Sequence, residues 1–291
     1  MSRTLVRTCA RRFSSSSYRF NSTLRPKFDP EKSFGFTQSP DSTWKLGAGA
    51  SWNSEHEEKP RKTWVMKDTS SRDTYRLLTS VIIPRPIAFV STLAADGTPN
   101  LAPFSSNNGT LDSYFSMVSH TPPLLSVSFQ LPKNRPKDTR ENILSTKEFT
   151  VNIISEHFVQ AANACSVEAP ASVDEWIVSG LTMEPSRAVK PPCVKESLVS
   201  MECELHFHHD IATLDTQELT HTLVLGLIKQ VHVRESVLSE DGLQADPAQL
   251  RPIARMGGLS YSRLTEGFDI PRVSWKASQE EIHKLSKEKK S

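Results

Sequence analysis

Apolar and polar positions along the chain predict a β-rich domain between a polar arm and a polar tail. From Leu124 to Leu131, Leu125, Val127 and Phe129 alternate with Ser126 and Ser128, the period of two expected of a strand. The same period sets Val199, Met201, Cys203, Leu205 and Phe207 against Ser200, Glu202, Glu204, His206 and His208, which predicts one wet face. Thr222–Arg234 carries Leu223, Leu225, Leu227, Val231 and Val233 on one parity, broken by Lys229. Residues 209–220 between these two long strands read as a turn, and the pair favours an antiparallel barrel or sheet over a parallel one. Shorter strands are predicted at Ile87–Ala95, Thr98–Phe104, Phe115–Ser119 and Phe149–Ile154, with Asp96-Gly97 turning the first into the second.

Helical signals are fewer. A short helix fits Ser71–Thr79, where Asp73 supports the first turn and Tyr75 and Leu78 share a face. A second fits 139–146, with Asp138 as its cap and Glu141 as capping-box partner. Ser155 and Glu156 open a third, reaching Ala164, and Val173–Val178 predicts a fourth, ended by Gly180. Pro185, Pro191 and Pro192 keep 182–195 irregular, and Ser239–Gln249 reads as a loop with a short helix.

Composition divides the 291 residues more sharply. Residues 1–25 hold Arg3, Arg7, Arg11, Arg12, Arg19 and Arg25, are rich in Ser and lack Asp and Glu, the pattern of a mitochondrial transit peptide; a disordered basic tail is the alternative. Removing those six arginines takes the formal charge from +2 to −4, so charge gives no reason to expect nucleic-acid binding. Residues 26–70 form a polar arm studded with Trp44, Trp52 and Trp64, residues 71–275 the domain, and 276–291 a charged, solvated tail with five lysines and three glutamates. No run of 18 apolar residues predicts a membrane-spanning helix. Cys9, Cys165, Cys193 and Cys203 show neither a disulfide framework nor metal-ligand spacing, which fits a reducing compartment. His206, His208 and His209 cluster, but only His206 and His208 share a strand face, and no metal site is expected. A Rossmann glycine pattern, a P-loop and G-x-S-x-G are all absent.

One ordered set of motifs remains. Pro84-Arg85-Pro86-Ile87 precedes an apolar strand. Gly97-x-x-Asn100-x-Ala102-Pro103-Phe104-Ser105 follows, then Ser119-x-x-Pro122-Pro123, Lys137-Asp138-Thr139-x-x-Asn142 and Phe149-x-x-Asn152. Downstream come Asp174-Glu175, Gly180-Leu181, Glu202-Cys203 and Arg255-x-Gly257-Gly258-x-x-Tyr261. This order resembles the flavin reductase-like family across about residues 70–275. The resemblance implies a mainly β fold with peripheral helices, an FMN-binding split β-barrel, commonly a homodimer with FMN at its interface. It implies flavin contacts at Ser91, Thr92, Asn100, Ala102, Ser105, Lys137, Thr139 and Asn142, and less directly at Arg255 and Tyr261.

The residue types suit that ligand. An FMN phosphate wants hydroxyls, backbone N–H groups and a cation, and Lys137, Thr139, Arg140 and Asn142 gather at a helix start. Ala102 and Ser105 are small enough for a flavin ring to approach the backbone. The same helix start also reads as an ordinary capped helix; if Asp138 caps it, the Thr139 hydroxyl and the basic side chains are left to carry the phosphate contact. Two features depart from the family pattern: about eight extra residues at 106–113, and Val224-Leu225-Gly226-Leu227-Ile228 in place of the usual Gly-Glu-Val. The resemblance implies hydride transfer from NADH or NADPH to flavin, with no side-chain acid or base nominated as catalytic. The alternatives are a reductase component serving an oxygenase partner, and a flavin-binding protein without turnover. The expected location is the mitochondrial matrix.

Overall fold

The computed structural model describes residues 25–50, 60–105, 113–131, 137–167, 170 and 173–288. The chain divides into two units, Met1–Lys32 and Ser33–Ser291. In the first, the Glu31 N–H donates to the Asp29 carboxylate at 3.0 Å. Everything below lies in the second. The arginine-rich first 25 residues, expected to be a transit peptide, and the expected 106–113 insertion fall outside the described residues, apart from Arg25 and Ser113.

In chain order the elements are β1 (Gly35–Thr37), α1 (Ser71–Val81), β2 (Ala88–Leu93), β3 (Pro99–Phe104), β4 (Ser113–His120), β5 (Pro123–Gln130), α2 (Asp138–Thr146) and β6 (Glu148–Asn152). They continue with α3 (Val159–Ala164), α4 (Glu175–Ser179), β7 (Met183–Glu184), β8 (Cys193–Val194), β9 (Val199–Ala212) and β10 (Leu219–Val233). The last are α5 (Pro247–Leu250), β11 (Ile253–Arg255), β12 (Tyr261–Arg263), β13 (Glu266–Phe268) and α6 (Trp275–Glu288). Seven strands form one antiparallel sheet in the order β3-β2-β6-β9-β10-β5-β4. It curls into a half-barrel whose two edge strands, β3 and β4, are not hydrogen-bonded to each other.

Apolar residues pack on both faces of the sheet. Ala88 and Val90 of β2 join Phe104, Leu125, Val127, Phe129, Phe149, Val151 and Val224, with Ile143 of α2, in one cluster. The alternate residue Phe89 joins Ile87, Leu101, Phe158, Ala162 and Trp176 in the other, under α3 and α4. Strand alternation puts successive side chains on opposite faces, so β2 is buried on both and reads as a near-continuous apolar run.

Five expectations are corrected. The helix at 138–146 has Lys137, not Asp138, at its N-cap and no side-chain cap. Asp138 is its first helical residue, so the Asp138–Glu141 capping box does not form. On β10 the buried parity is Thr222, Val224 and Gly226, while Leu223, Leu225 and Leu227 are half-buried. The cause is Phe149: its ring occupies the space where a Cβ on Gly226 would stand. On β9 the face predicted to be wet carries Glu202, which is 0% exposed, because residues 187–189 cover it and their N–H groups bind its carboxylate. The turn between β9 and β10 shrinks to 213–218. The tail is also more than a solvated run: it forms α6, whose Leu285 packs on Gly47 of the arm, while β1 of the arm pairs in parallel with β13.

Candidate functional site

The predicted residues divide between the faces of β2 and β3. Thr92 lies opposite Asn100 and points to the face where α2 packs. Ser91, its neighbour, points to the other face, opposite Leu101 and Thr150, and its buried hydroxyl has no partner. The two side chains therefore lie on opposite faces of β2.

On the α2 face four predicted residues form one network. The Asn142 amide donates to Thr92 Oγ1 at 3.0 Å, and the Thr139 hydroxyl donates to Asn100 Oδ1 at 2.5 Å. The Asn100 amide donates to Glu175 Oε2 at 3.2 Å, and the Leu101 N–H on the outer side of edge strand β3 donates to the same oxygen at 3.4 Å. Glu175 is nearly fully buried, and burial pushes its carboxyl above the ordinary value, against the opposing pull of backbone N–H groups. In the sequence Glu175 stands out only as part of the Asp174-Glu175 motif; its place at the centre of the network comes from α4 packing on β3.

This network is closed on itself. The Thr139 proton is committed to Asn100, and the Arg140 guanidinium to Thr222, Glu141 and Asp210. The Thr139 hydroxyl thus spends its proton inside the network, whereas three of the five N–H donors of Arg140 are engaged. Lys137 is placed differently. Its ammonium donates to Ser113 of β4 at 3.2 Å and sits 5.2 Å from the ring centre of Phe104 on β3, so it spans the open seam of the half-barrel. His221 of β10 is close enough for the Lys137 charge, after burial, to hold its imidazole below the ordinary pKa. Nothing in the sequence marked His221. Half-buried Ala102 and buried Ser105 lie along β3 and just beyond it.

The donor set fits the anionic end of FMN. A lysine ammonium stands at the start of α2, no side chain caps that helix, and the N–H groups of its first turn have no acceptor within the helix. Arg255 and Tyr261 are tied elsewhere. Arg255 is 2% exposed, donates to the Gly258 carbonyl and stacks on Tyr261, whose hydroxyl donates to Asn163 of α3. Neither side chain bonds to the Asn100 network. His206, His208 and His209 are exposed, and no metal-holding cluster occurs among the described residues.

The profile of the flavin reductase-like domain matches residues 80–252. The chain belongs to the flavin reductase-like family. A protein of Aquifex aeolicus is 35% identical over 199 residues, 68% of this chain and 93% of its own length. Among solved structures, nitrilotriacetate monooxygenase component B from Bacillus cereus is 32% identical with a TM-score of 0.67, over 73% of this chain and all of that one. The 2-nitrobenzoate 2-nitroreductase of Pseudomonas fluorescens is 26% identical with a TM-score of 0.60, over 73% and 95%. The half-barrel is thus the family's split barrel, and membership makes this chain a flavin-dependent oxidoreductase. The match takes in Lys137, Thr139, Asn142 and Glu175; Arg255 and Tyr261 lie beyond it.

Proposed function

We propose that this protein is the reductase component of a two-component oxygenase system, using NADH or NADPH to reduce FMN that a partner oxygenase then consumes. The observation that carries this reading is the likeness to nitrilotriacetate monooxygenase component B, which spans that protein's whole length at 32% identity. Bound FMN supplies an electrophilic N5 atom that takes up hydride and stores it for the next acceptor. The chain's own part is to bind and orient. Lys137 and the first turn of α2 hold the phosphate end. Ala102 and Ser105 let a ring lie close to the β3 backbone, and the Asn100–Thr139–Asn142–Thr92 network braces α2 against β2 and β3. The exposed Tyr114, Met117 and Val118 on edge strand β4 support a homodimer, since an apolar edge strand is normally covered. The acid-free, arginine-rich first 25 residues support delivery to the mitochondrial matrix.

The test is reduction under anaerobic conditions. FMN-loaded protein should lose its yellow absorbance on addition of NADH or NADPH, and the faster donor gives the preference. Supplying an oxygenase that lacks its own reductase should then restore substrate oxygenation. Bleaching without any support of an oxygenase would favour a free-standing flavin reductase, and flavin that stays yellow with both donors would refute hydride transfer. Lys137→Met should weaken FMN binding by tenfold or more in a fluorescence titration. Unchanged affinity would remove Lys137 from the site.

A further inference from the structure

The hydrogen bonds around Asn100 run one way. The Asn142 amide donates to the Thr92 hydroxyl, and the Thr92 and Thr139 hydroxyls donate to Asn100 Oδ1 at 3.5 and 2.5 Å. The Asn100 amide then donates to Glu175 Oε2 at 3.2 Å, which makes Glu175 the last acceptor of the relay. A side-chain amide has one donor end and one acceptor end. An acceptor held at Glu175 therefore decides which end of Asn100 meets Thr139.

The same oxygen closes the outer edge of β3. It accepts the Leu101 N–H at 3.4 Å, and the neighbours of Leu101 on that edge, Pro99 and Pro103, have no N–H to give. Glu175 itself is fixed by its own helix: the Asp174 carboxylate caps α4 by accepting the Trp176 N–H, and Glu175 is the first helical residue. It also lies beside the start of α2. After burial, the charge of Asp138, the first residue of α2, pushes the Glu175 carboxyl further up.

We propose that Glu175 is a positioning residue for the flavin site, acting through Asn100. Asn100 sets how Thr139 and the first turn of α2, with Lys137 at its start, lie against β3. The inference rests on the reading that Lys137 and this turn hold the FMN phosphate. Without an acceptor at position 175 the Asn100 amide is free to turn end for end. The Leu101 N–H is then left buried and unpaired, and the Thr139 hydroxyl loses its fixed acceptor.

The full chain is titrated with FMN, with flavin fluorescence as the readout. Glu175→Gln keeps an oxygen acceptor for both N–H groups and should bind FMN within about threefold of the parent. Glu175→Met, similar in length but without that acceptor, should bind about tenfold more weakly. Asn100→Ala cuts the relay and leaves the Glu175–Leu101 bond; it should cost as much as Glu175→Met, and the double variant no more than either alone. Should Glu175→Met not fold, Glu175→Asp, which draws the carboxylate back by one methylene, takes its place with the same expected loss. Parent-like affinity in the Met or Asp variant, equal loss in the Gln variant, or additive losses in the double variant would overturn the proposal. Lys137→Met separates the two readings. If it leaves FMN affinity unchanged, the phosphate placement fails and the role of Glu175 with it. If it weakens FMN while Glu175→Met does not, the placement stands and the positioning role alone is refuted.

Discussion

Asn100 shows how the candidate site is held at the scale of single residues. Its amide gives to Glu175 while its carbonyl takes from Thr139, so one side chain joins β3 to both α4 and α2. The sequence placed Asn100, Thr139 and Asn142 near a flavin through the family pattern, and the structure does gather them. It could not show that their hydrogens are spent on one another, because that depends on helices packed from elsewhere in the chain. Glu175 gives this network a pH dependence. Its carboxyl is raised from the ordinary 4.5, so the folded state holds the proton more tightly than the unfolded state. The stability it contributes is therefore full below the unfolded value and is lost as pH rises through the folded one. Glu175→Gln keeps an acceptor for Asn100 and Leu101 and removes the charge. Its melting temperature relative to the parent should climb as pH rises above the ordinary carboxyl value. A difference that stays flat with pH would show that the Glu175 charge carries no such cost.

At the scale of elements, β10 shows where a periodic pattern misleads. Leucines on one parity suggested the buried face, yet Val224 and Gly226 face the core. Periodicity identifies a strand, but which face is covered depends on its neighbours, and here Phe149 of β6 fills the place beside Gly226. Gly226→Ala would push a methyl group into that ring, and overpacking of this kind costs about 1–3 kcal/mol. A chemical denaturation midpoint should fall accordingly; a midpoint equal to the parent's would mean that Phe149 moves aside freely. Strand β9 teaches the same lesson through Glu202. A carboxylate on an alternating strand reads as solvated, but a segment 13 to 15 residues earlier folds back over it. Burial raises its carboxyl, and the N–H groups of that segment together with His232 outweigh burial and hold it below the ordinary range.

For the whole molecule, the family domain and the added segments separate cleanly. The seven-stranded sheet falls within the matched residues 80–252, whereas β1, β13 and α6 lie outside them. These outer pieces hold one another: Gly35–Thr37 pairs with Glu266–Phe268, and Leu285 rests on Gly47. Deleting residues 33–50 should lower the melting temperature by a few degrees, about 2–4 °C per kcal/mol for a domain this size, with FMN binding retained. Loss of FMN binding would show that the arm completes the flavin site. The sequence by itself determined the strand count in the central region, the turns, the family and the lysine at the start of α2. These follow from local periodicity, from turn residues and from the order of motifs along the chain. The tertiary structure alone decided which face of β10 is buried, that Thr139 serves Asn100 and that Glu202 is covered. It also decided that the polar arm meets the C-terminal tail, through β1 with β13 and Gly47 with Leu285. Each of those depends on residues brought together from separate parts of the chain, and a local pattern does not record its distant neighbour.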